Sequence, residues 1–203
     1  MFYCAYELNI PNLEDLKKEI QEYTNKFDWK GDWPPCQNYK DIGSNVLKFY
    51  EMFNHCFMNT VRIIKSPAKT NWLPHIEIDH GGKFDKFKGE IDNSQQINAV
   101  INIMVINSIE DETRFYFDRN LNKLYHPTKE PFSSEYSRYG IKKDLKLIDK
   151  FNVNKNPVLI NTGTWHAIKN NSPRVGLSFF VHPWISFEAV VDFCRDNNIL
   201  IER

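Results

Sequence analysis

Leu159-Ile160-Asn161-Thr162-Gly163-Thr164-Trp165-His166-Ala167-Ile168-Lys169-Asn170-Asn171-Ser172-Pro173-Arg174-Val175-Gly176-Leu177-Ser178 is the stretch on which the fold turns. An apolar strand runs into a lone imidazole, a short polar turn follows, and an arginine opens a second apolar strand. Asn170, Asn171 and Pro173 are turn formers, and the spacing predicts a tight hairpin that returns Arg174 beside His166 on the adjacent strand. A guanidinium at the head of an apolar strand needs a partner, because burying its charge alone costs on the order of several kcal/mol. An acidic side chain of the fold would serve, and so would the carboxylate of a ligand. Ser178, on the same face as Arg174, is then a second candidate donor.

Far upstream, Trp72 to Asp79 alternates as a half-buried strand does, so His75, Glu77 and Asp79 share one face. A His-x-Glu pair on a strand can aim two donors at one metal. Taken alone it arises often by chance, and a polar pair at a solvated strand edge explains it equally. His166 changes the balance, although one histidine among apolar neighbours is often a satisfied core residue. Two imidazoles and one carboxylate make the 2-His-1-carboxylate face of non-haem Fe(II) centres. Asp79 competes with Glu77 for the carboxylate place, and a Glu77/Asp79 pair would leave the set one histidine short.

The bulk numbers frame these residues. A chain of 203 residues, 41% hydrophobic and 14% aromatic, can bury a sizeable core as a single domain over 1–203. Its 26 basic and 26 acidic residues give a net charge of zero, so no global field draws it to nucleic acid or an anionic membrane. The four cysteines, Cys4, Cys36, Cys56 and Cys194, form no C-x-x-C pair and read as reduced packing thiols. With no signal peptide and no bilayer-length apolar run, the expectation is a cytoplasmic protein.

The pattern along the chain predicts an α+β domain built round a β-sandwich or barrel. Asn12 is expected to cap a helix over Leu13 to Lys26, and Ser44 a second in which Val46, Phe49, Tyr50, Phe53 and Phe57 form a core stripe. Strands are expected from Thr60 onward, at Val61–Ile64, Trp72–Asp79, Ile97–Ile106, Thr113–Phe117, Leu145–Phe151, Val158–Asn161 and Val175–Val181. The charged loop after Gly81-Gly82 and the segment from Pro127 to Gly140 are expected to shape an entrance. Ser186 should cap a final helix. The division is then a helical N-terminal flank over about 1–59, a sheet core over about 60–182 and a C-terminal helix over about 186–198. Structural roles are expected for His55, His126 and His182, and His80 reads as a neighbour of the site strand or as simply exposed.

Pro74-His75-Ile76-Glu77, an apolar strand carrying Asn102, and Pro157-Val158-Leu159-Ile160-Asn161 leading to His166 and Arg174 together resemble the Fe(II)/2-oxoglutarate-dependent oxygenases. The likeness is to their small prolyl-hydroxylase-like and phage-type members and spans roughly Val61 to Val181. It implies a double-stranded β-helix (a jelly roll, cupin-like). It implies Fe(II) on His75, Glu77 and His166, with Asp79 the alternative carboxylate, and 2-oxoglutarate anchored by Arg174. Ser178, Asn102 and Tyr116 are further co-substrate candidates. The implied partners are 2-oxoglutarate, O2 and a small-molecule, nucleotide or protein side-chain substrate, hydroxylated with release of succinate and CO2. The chain departs from the family pattern twice: Glu77 stands where Asp is usual, and Gly176 where many members carry Ser. Two rival readings share the fold, a catalytically silent jelly-roll binding protein and a cupin-like metalloenzyme that does not use 2-oxoglutarate.

Overall fold

The computed structural model describes residues 3–27, 38–71, 75–77, 96–118, 137–139, 145–152 and 155–202. Residues 58–60, 70, 71, 75–77, 118 and 137–139 are described through their backbone alone. The expected strand ends at 72–74 and 78–79, the loop after Gly81, His80, His126 and most of Pro127 to Gly140 lie outside the described residues.

Among the described residues three α-helices and two antiparallel sheets make the architecture α+β. Helix α1 (Leu13–Thr24) buries Leu16, Ile20, Tyr23 and Thr24 along one face, the spacing that puts an apolar stripe on a core. Asn12 occupies the cap position in a left-handed conformation (φ 56) and makes no side-chain cap. Helix α2 (Ser44–Met52) starts at Ser44 instead of being capped by it. Its cap comes from α1: Glu19 Oε2 accepts the Asn45 and Val46 N–H groups at 2.8 and 3.1 Å. Glu19 Oε1 accepts from Ser44 Oγ and Asn45 Nδ2. A carboxylate at the positive end of a helix satisfies its orphan donors and opposes its dipole. Gly43 permits that approach, since a Cβ there would lie 2.3 Å from Glu19 Oε2.

The aromatic stripe is buried as expected but is not all helix. α2 ends at Met52, and Phe57 opens a strand instead. The stripe still packs as one unit: Phe49, Phe53 and Phe57 lie 4.9–5.8 Å from one another, and Phe179 lies 4.9 and 5.5 Å from Phe49 and Phe57. Helix α3 (Phe187–Asp196) is capped by Ser186, whose side chain accepts from the Ala189 N–H.

The strands are β1 (Ala5–Leu8), β2 (Phe57–Ser66), β3 (Thr70–Asn71), β4 (His75–Glu77), β5 (Ala99–Ile106), β6 (Glu112–Asp118), β7 (Ser137–Tyr139), β8 (Leu145–Asn152), β9 (Val158–Asn161), β10 (Trp165–Asn170), β11 (Arg174–Val181) and β12 (Leu200–Ile201). One sheet has the order β12-β1-β9-β5-β11-β2. The other has β7-β4-β10-β6-β8, with β3 also on β10. The N-terminal flank, expected to be helical, thus also contributes β1, which lies between β12 and β9 in the first sheet.

The decisive stretch folds differently from the predicted hairpin. β10 pairs with β4 and β6, whereas β11 pairs with β2 and β5. Residues 171–173 therefore carry the chain from one sheet to the other, and 162–164 do the same between β9 and β10. Backbone contacts build the second crossing: the Thr162 and Gly163 N–H groups donate to the Asn98 carbonyl. Arg174 consequently faces His166's sheet from across the sandwich and is not its in-sheet neighbour. Strands that alternate between two antiparallel sheets in this way are compatible with a jelly roll.

Period-two alternation assigns the faces. Leu177, Phe179 and Val181 of β11 join the helices in the main core. Arg174, Gly176, Ser178 and Phe180 therefore point the other way, towards the second sheet. Phe115 and Phe151 of that sheet pack with Ala5, Val158 and Ile160 of the first, so the two inner faces meet. The layers are helices, sheet, sheet.

Gly176 marks a tight place in this sandwich. The register of β11 on β5 shifts between Val175 and Gly176. A Cβ at 176 would lie 2.2 Å from the Ile103 carbonyl oxygen and 2.9 Å from Met104 Cα. A serine, usual here in the resembling family, does not fit without moving β5. Gly176→Ser is expected to destabilise the protein by about 1–3 kcal/mol, and a thermal melt against the wild type checks it. An unchanged Tm would show that β5 yields freely.

Candidate functional site

Arg174 is 2% exposed, at the head of β11 on the face that looks across the sandwich. Its Nη2 contacts Met104 Sδ at 3.8 Å, and its Nε meets no acceptor among the described residues. Burial pushes the guanidinium down to about 10, and the charge of Asp111 opposes that shift. No described carboxylate forms an ion pair with it. A buried cation in this condition is costly, and an anion placed against it would lower that cost.

Asp111 gave no signal in the sequence. It is fully buried and ties both turns at this end of the sandwich. Its Oδ1 accepts the Asn171 N–H at 2.9 Å, and its Oδ2 accepts the Ser108 N–H at 3.0 Å and the Ser172 hydroxyl at 3.2 Å. The carboxylate thereby fixes the crossover that delivers Arg174. Asp111→Ala removes a buried charged acceptor from several donors and is expected to cost about 3 kcal/mol, read as a lower denaturant midpoint. A loss under about 1 kcal/mol would contradict this tie.

His166 is 3% exposed and lies on the inner face of β10, its ring 6.4 Å from that of Phe115. Its Nδ1 is 3.0 Å from the Thr164 carbonyl oxygen. A carbonyl only accepts, so Nδ1 donates to it, and in the neutral ring the lone pair is on Nε2. This is how a metal-binding imidazole is commonly oriented. His75 of β4 stands directly opposite His166 in the antiparallel register, and Glu77 lies two residues along the same strand on the same face. The structure thus brings three of the expected residues to one face of one sheet. Among the described residues no three-donor cluster forms; of the three expected ligands, His166 alone has a described side chain. Asp79 lies outside the described residues.

Ser178 and Asn102 stand in register on β11 and β5 on the inner face, and the Ser178 hydroxyl donates to Asn102 Oδ1 at 2.5 Å. Each of these expected co-substrate contacts is engaged by the other, so the Ser178 proton is already committed. Tyr116 is placed elsewhere. It pairs with Trp165, one position away from the His166–Phe115 pair, and packs with Trp165 and Leu145 on the opposite face. That face also carries the Arg114–Glu112 ion pair. Of the minor histidines, His55 packs edge-on against Phe193 at 4.6 Å and His182 stacks on Trp184 at 4.3 Å.

An oriented imidazole on one inner face and, on the other, a buried guanidinium with no ion pair among the described residues therefore share the intersheet space. No protein-family model matches the chain, and no curated protein matches it. Among solved structures it is similar to HygX from Streptomyces hygroscopicus, in a crystal structure with nickel and 2-oxoglutarate bound. The identity is 11% and the TM-score 0.41, over 85% of this chain and 78% of that one. That likeness is too distant to carry any residue across. No described helix is long and apolar enough to cross a membrane.

Proposed function

We propose that the protein is an Fe(II)- and 2-oxoglutarate-dependent oxygenase on a double-stranded β-helix. The observation that carries this reading is the buried Arg174 with an Nε that has no acceptor among the described residues, across the sandwich from an imidazole whose Nδ1 is held. The strand order supports the fold: β2-β11-β5-β9 in one sheet faces β4-β10-β6-β8 in the other, and among these eight strands the chain crosses between the sheets at every step except β6 to β8. On this reading residues of about 60–182 form the barrel of a single domain, with the N-terminal flank and α3 packed on its outside.

His75, Glu77 and His166 hold Fe(II), Asp79 being the alternative carboxylate, and Arg174 takes the far carboxylate of 2-oxoglutarate. Iron so held supplies activation of O2, coupled to decarboxylation of 2-oxoglutarate to succinate and CO2 and to oxidation of a substrate. The chain's own residues supply orientation and dryness. Thr164 fixes the His166 tautomer, Arg174 fixes one end of the co-substrate, and Phe115 with its apolar neighbours excludes water. The substrate is a small molecule, a nucleotide or a protein side chain, with hydroxylation the simplest outcome.

Succinate production from 2-oxoglutarate tests the reading. It is expected to require both Fe(II) and O2. Its absence in protein that binds 2-oxoglutarate but no iron would instead favour a silent jelly-roll binder. Substrate turnover that needs iron but not 2-oxoglutarate, with no succinate formed, would favour the cupin-like alternative. Comparing Glu77→Ala with Asp79→Ala assigns the carboxylate. Iron affinity is expected to fall more than about 100-fold in the first and little in the second, and the reverse result would make Asp79 the ligand.

A further inference from the structure

Arg174 is not the one orphaned polar group at its end of the sandwich. Among the described residues, Thr113 Oγ1 is also buried without a hydrogen-bond partner, in a side chain 1% exposed. Thr113 stands on β6 opposite Ile168 of β10 and Phe151 of β8. It lies two residues before Phe115, whose ring packs into the space between the sheets. Alternation therefore puts Thr113 on the same inner face. It also lies two residues after Asp111, the carboxylate whose charge acts on Arg174 and which joins the 108–111 turn to the 171–172 turn. Thr113 and Arg174 thus face each other's sheets at the end where these two crossovers meet.

A buried hydroxyl left unmade is expensive, and so is a buried guanidinium N–H. Two such donors at one end of the intersheet space argue for one acceptor between them. The expected second donor, Ser178, has already given its proton to Asn102. We infer that Thr113 is a binding residue of the co-substrate recess: its hydroxyl donates to the same ligand carboxylate that Arg174 pairs with. The assignment rests on the proposed reading of the site and adds a residue to it. Asn170 sharpens the chemistry of this end. Its Nδ2 donates to the Pro67 and Ser172 carbonyls at 2.7 and 2.8 Å, which fixes its Oδ1 as an acceptor. With Oδ1 also buried and unpartnered among the described residues, an anion against Asn170 would meet a second acceptor, whereas Arg174 and Thr113 offer donors.

The test is Thr113→Val, which replaces the hydroxyl by a methyl of the same shape. Binding of 2-oxoglutarate and of 2-oxobutyrate, which lacks the distal carboxylate, is measured by calorimetry on Fe(II)-loaded protein without oxygen. The variant is expected to bind 2-oxoglutarate about tenfold more weakly and 2-oxobutyrate as well as the wild type does. Its ligand-free Tm should be unchanged or higher, and Thr113→Ser should restore the affinity. Equal weakening for both ligands, or undiminished 2-oxoglutarate affinity in a folded variant, would overturn the assignment. A wild-type protein that binds 2-oxoglutarate no better than 2-oxobutyrate overturns the co-substrate reading itself, which sets that failure apart from the failure of Thr113.

Discussion

Arg174→Met is expected to lower 2-oxoglutarate affinity by at least about 100-fold while leaving the ligand-free protein as stable as the wild type, or more so. The guanidinium is 2% exposed, touches the sulfur of Met104, and has an Nε without an acceptor among the described residues. Charge-assisted hydrogen bonds to a carboxylate contribute about 1.5–3 kcal/mol each, so losing two of them accounts for the drop. Methionine matches much of the stem and carries no charge to desolvate, and replacing buried charges by apolar side chains is often neutral or stabilising. The pH dependence has a definite sign. The folded guanidinium titrates at about 10, below its ordinary value. Between those values the unfolded chain holds more protons than the folded one, so ligand-free stability gains from this group as pH rises, and is flat below the window. The difference between wild type and Arg174→Met, followed by denaturant midpoints, should shrink across that range. A variant that loses stability at neutral pH without losing 2-oxoglutarate affinity would mean that Arg174 serves only the fold.

His166→Ala is expected to abolish turnover and to weaken Fe(II) binding by more than about 100-fold. Loss of a group that merely orients a ligand commonly costs 10–100-fold, and loss of the ligand itself exceeds that. The ring is anchored at Nδ1 by the Thr164 carbonyl at 3.0 Å and lies beside Phe115, so the lone pair on Nε2 has a defined direction. The chain around it does not depend on the imidazole for its pairing, because the β10 backbone is held by β4 on one side and β6 on the other. The variant should therefore remain folded, with stability reduced by about 1–3 kcal/mol for the vacated space. Iron affinity measured on a variant with an intact circular dichroism spectrum decides the point. Undiminished affinity would return His166 to the core as a satisfied histidine.

Much of this site was legible along the chain, and its errors have physical causes. Val158–Asn161 came out with the bounds read from the sequence, because a short β-branched run between turn formers leaves little choice. The same signals misled at 170–174. Asn-Asn-Ser-Pro specifies a reversal, but not whether the returning strand joins the same sheet or crosses to the next. Only long-range pairing, Arg174 with Ser66 and His166 with His75, settles that. The cap of α2 was unreadable for a related reason, since Glu19 lies 25 residues before Ser44 in the chain. Strands β1 and β12 are four and two residues long, too short for a period to show. Asp111 carries no signal in the sequence, and Thr113 enters only as the first residue of the strand expected over Thr113–Phe117. Neither an enclosed carboxylate nor an orphaned hydroxyl has a signature until the two sheets are stacked.

The pairing of metal and co-substrate in one site is tested most directly by adding Fe(II) to the oxygen-free protein with and without 2-oxoglutarate while following the visible spectrum. A weak charge-transfer band that grows to saturation only when both are present, and that Arg174→Met shifts to far higher 2-oxoglutarate concentration, is the predicted result. Iron that binds with no such band at any 2-oxoglutarate concentration, or no iron binding at all, would contradict it.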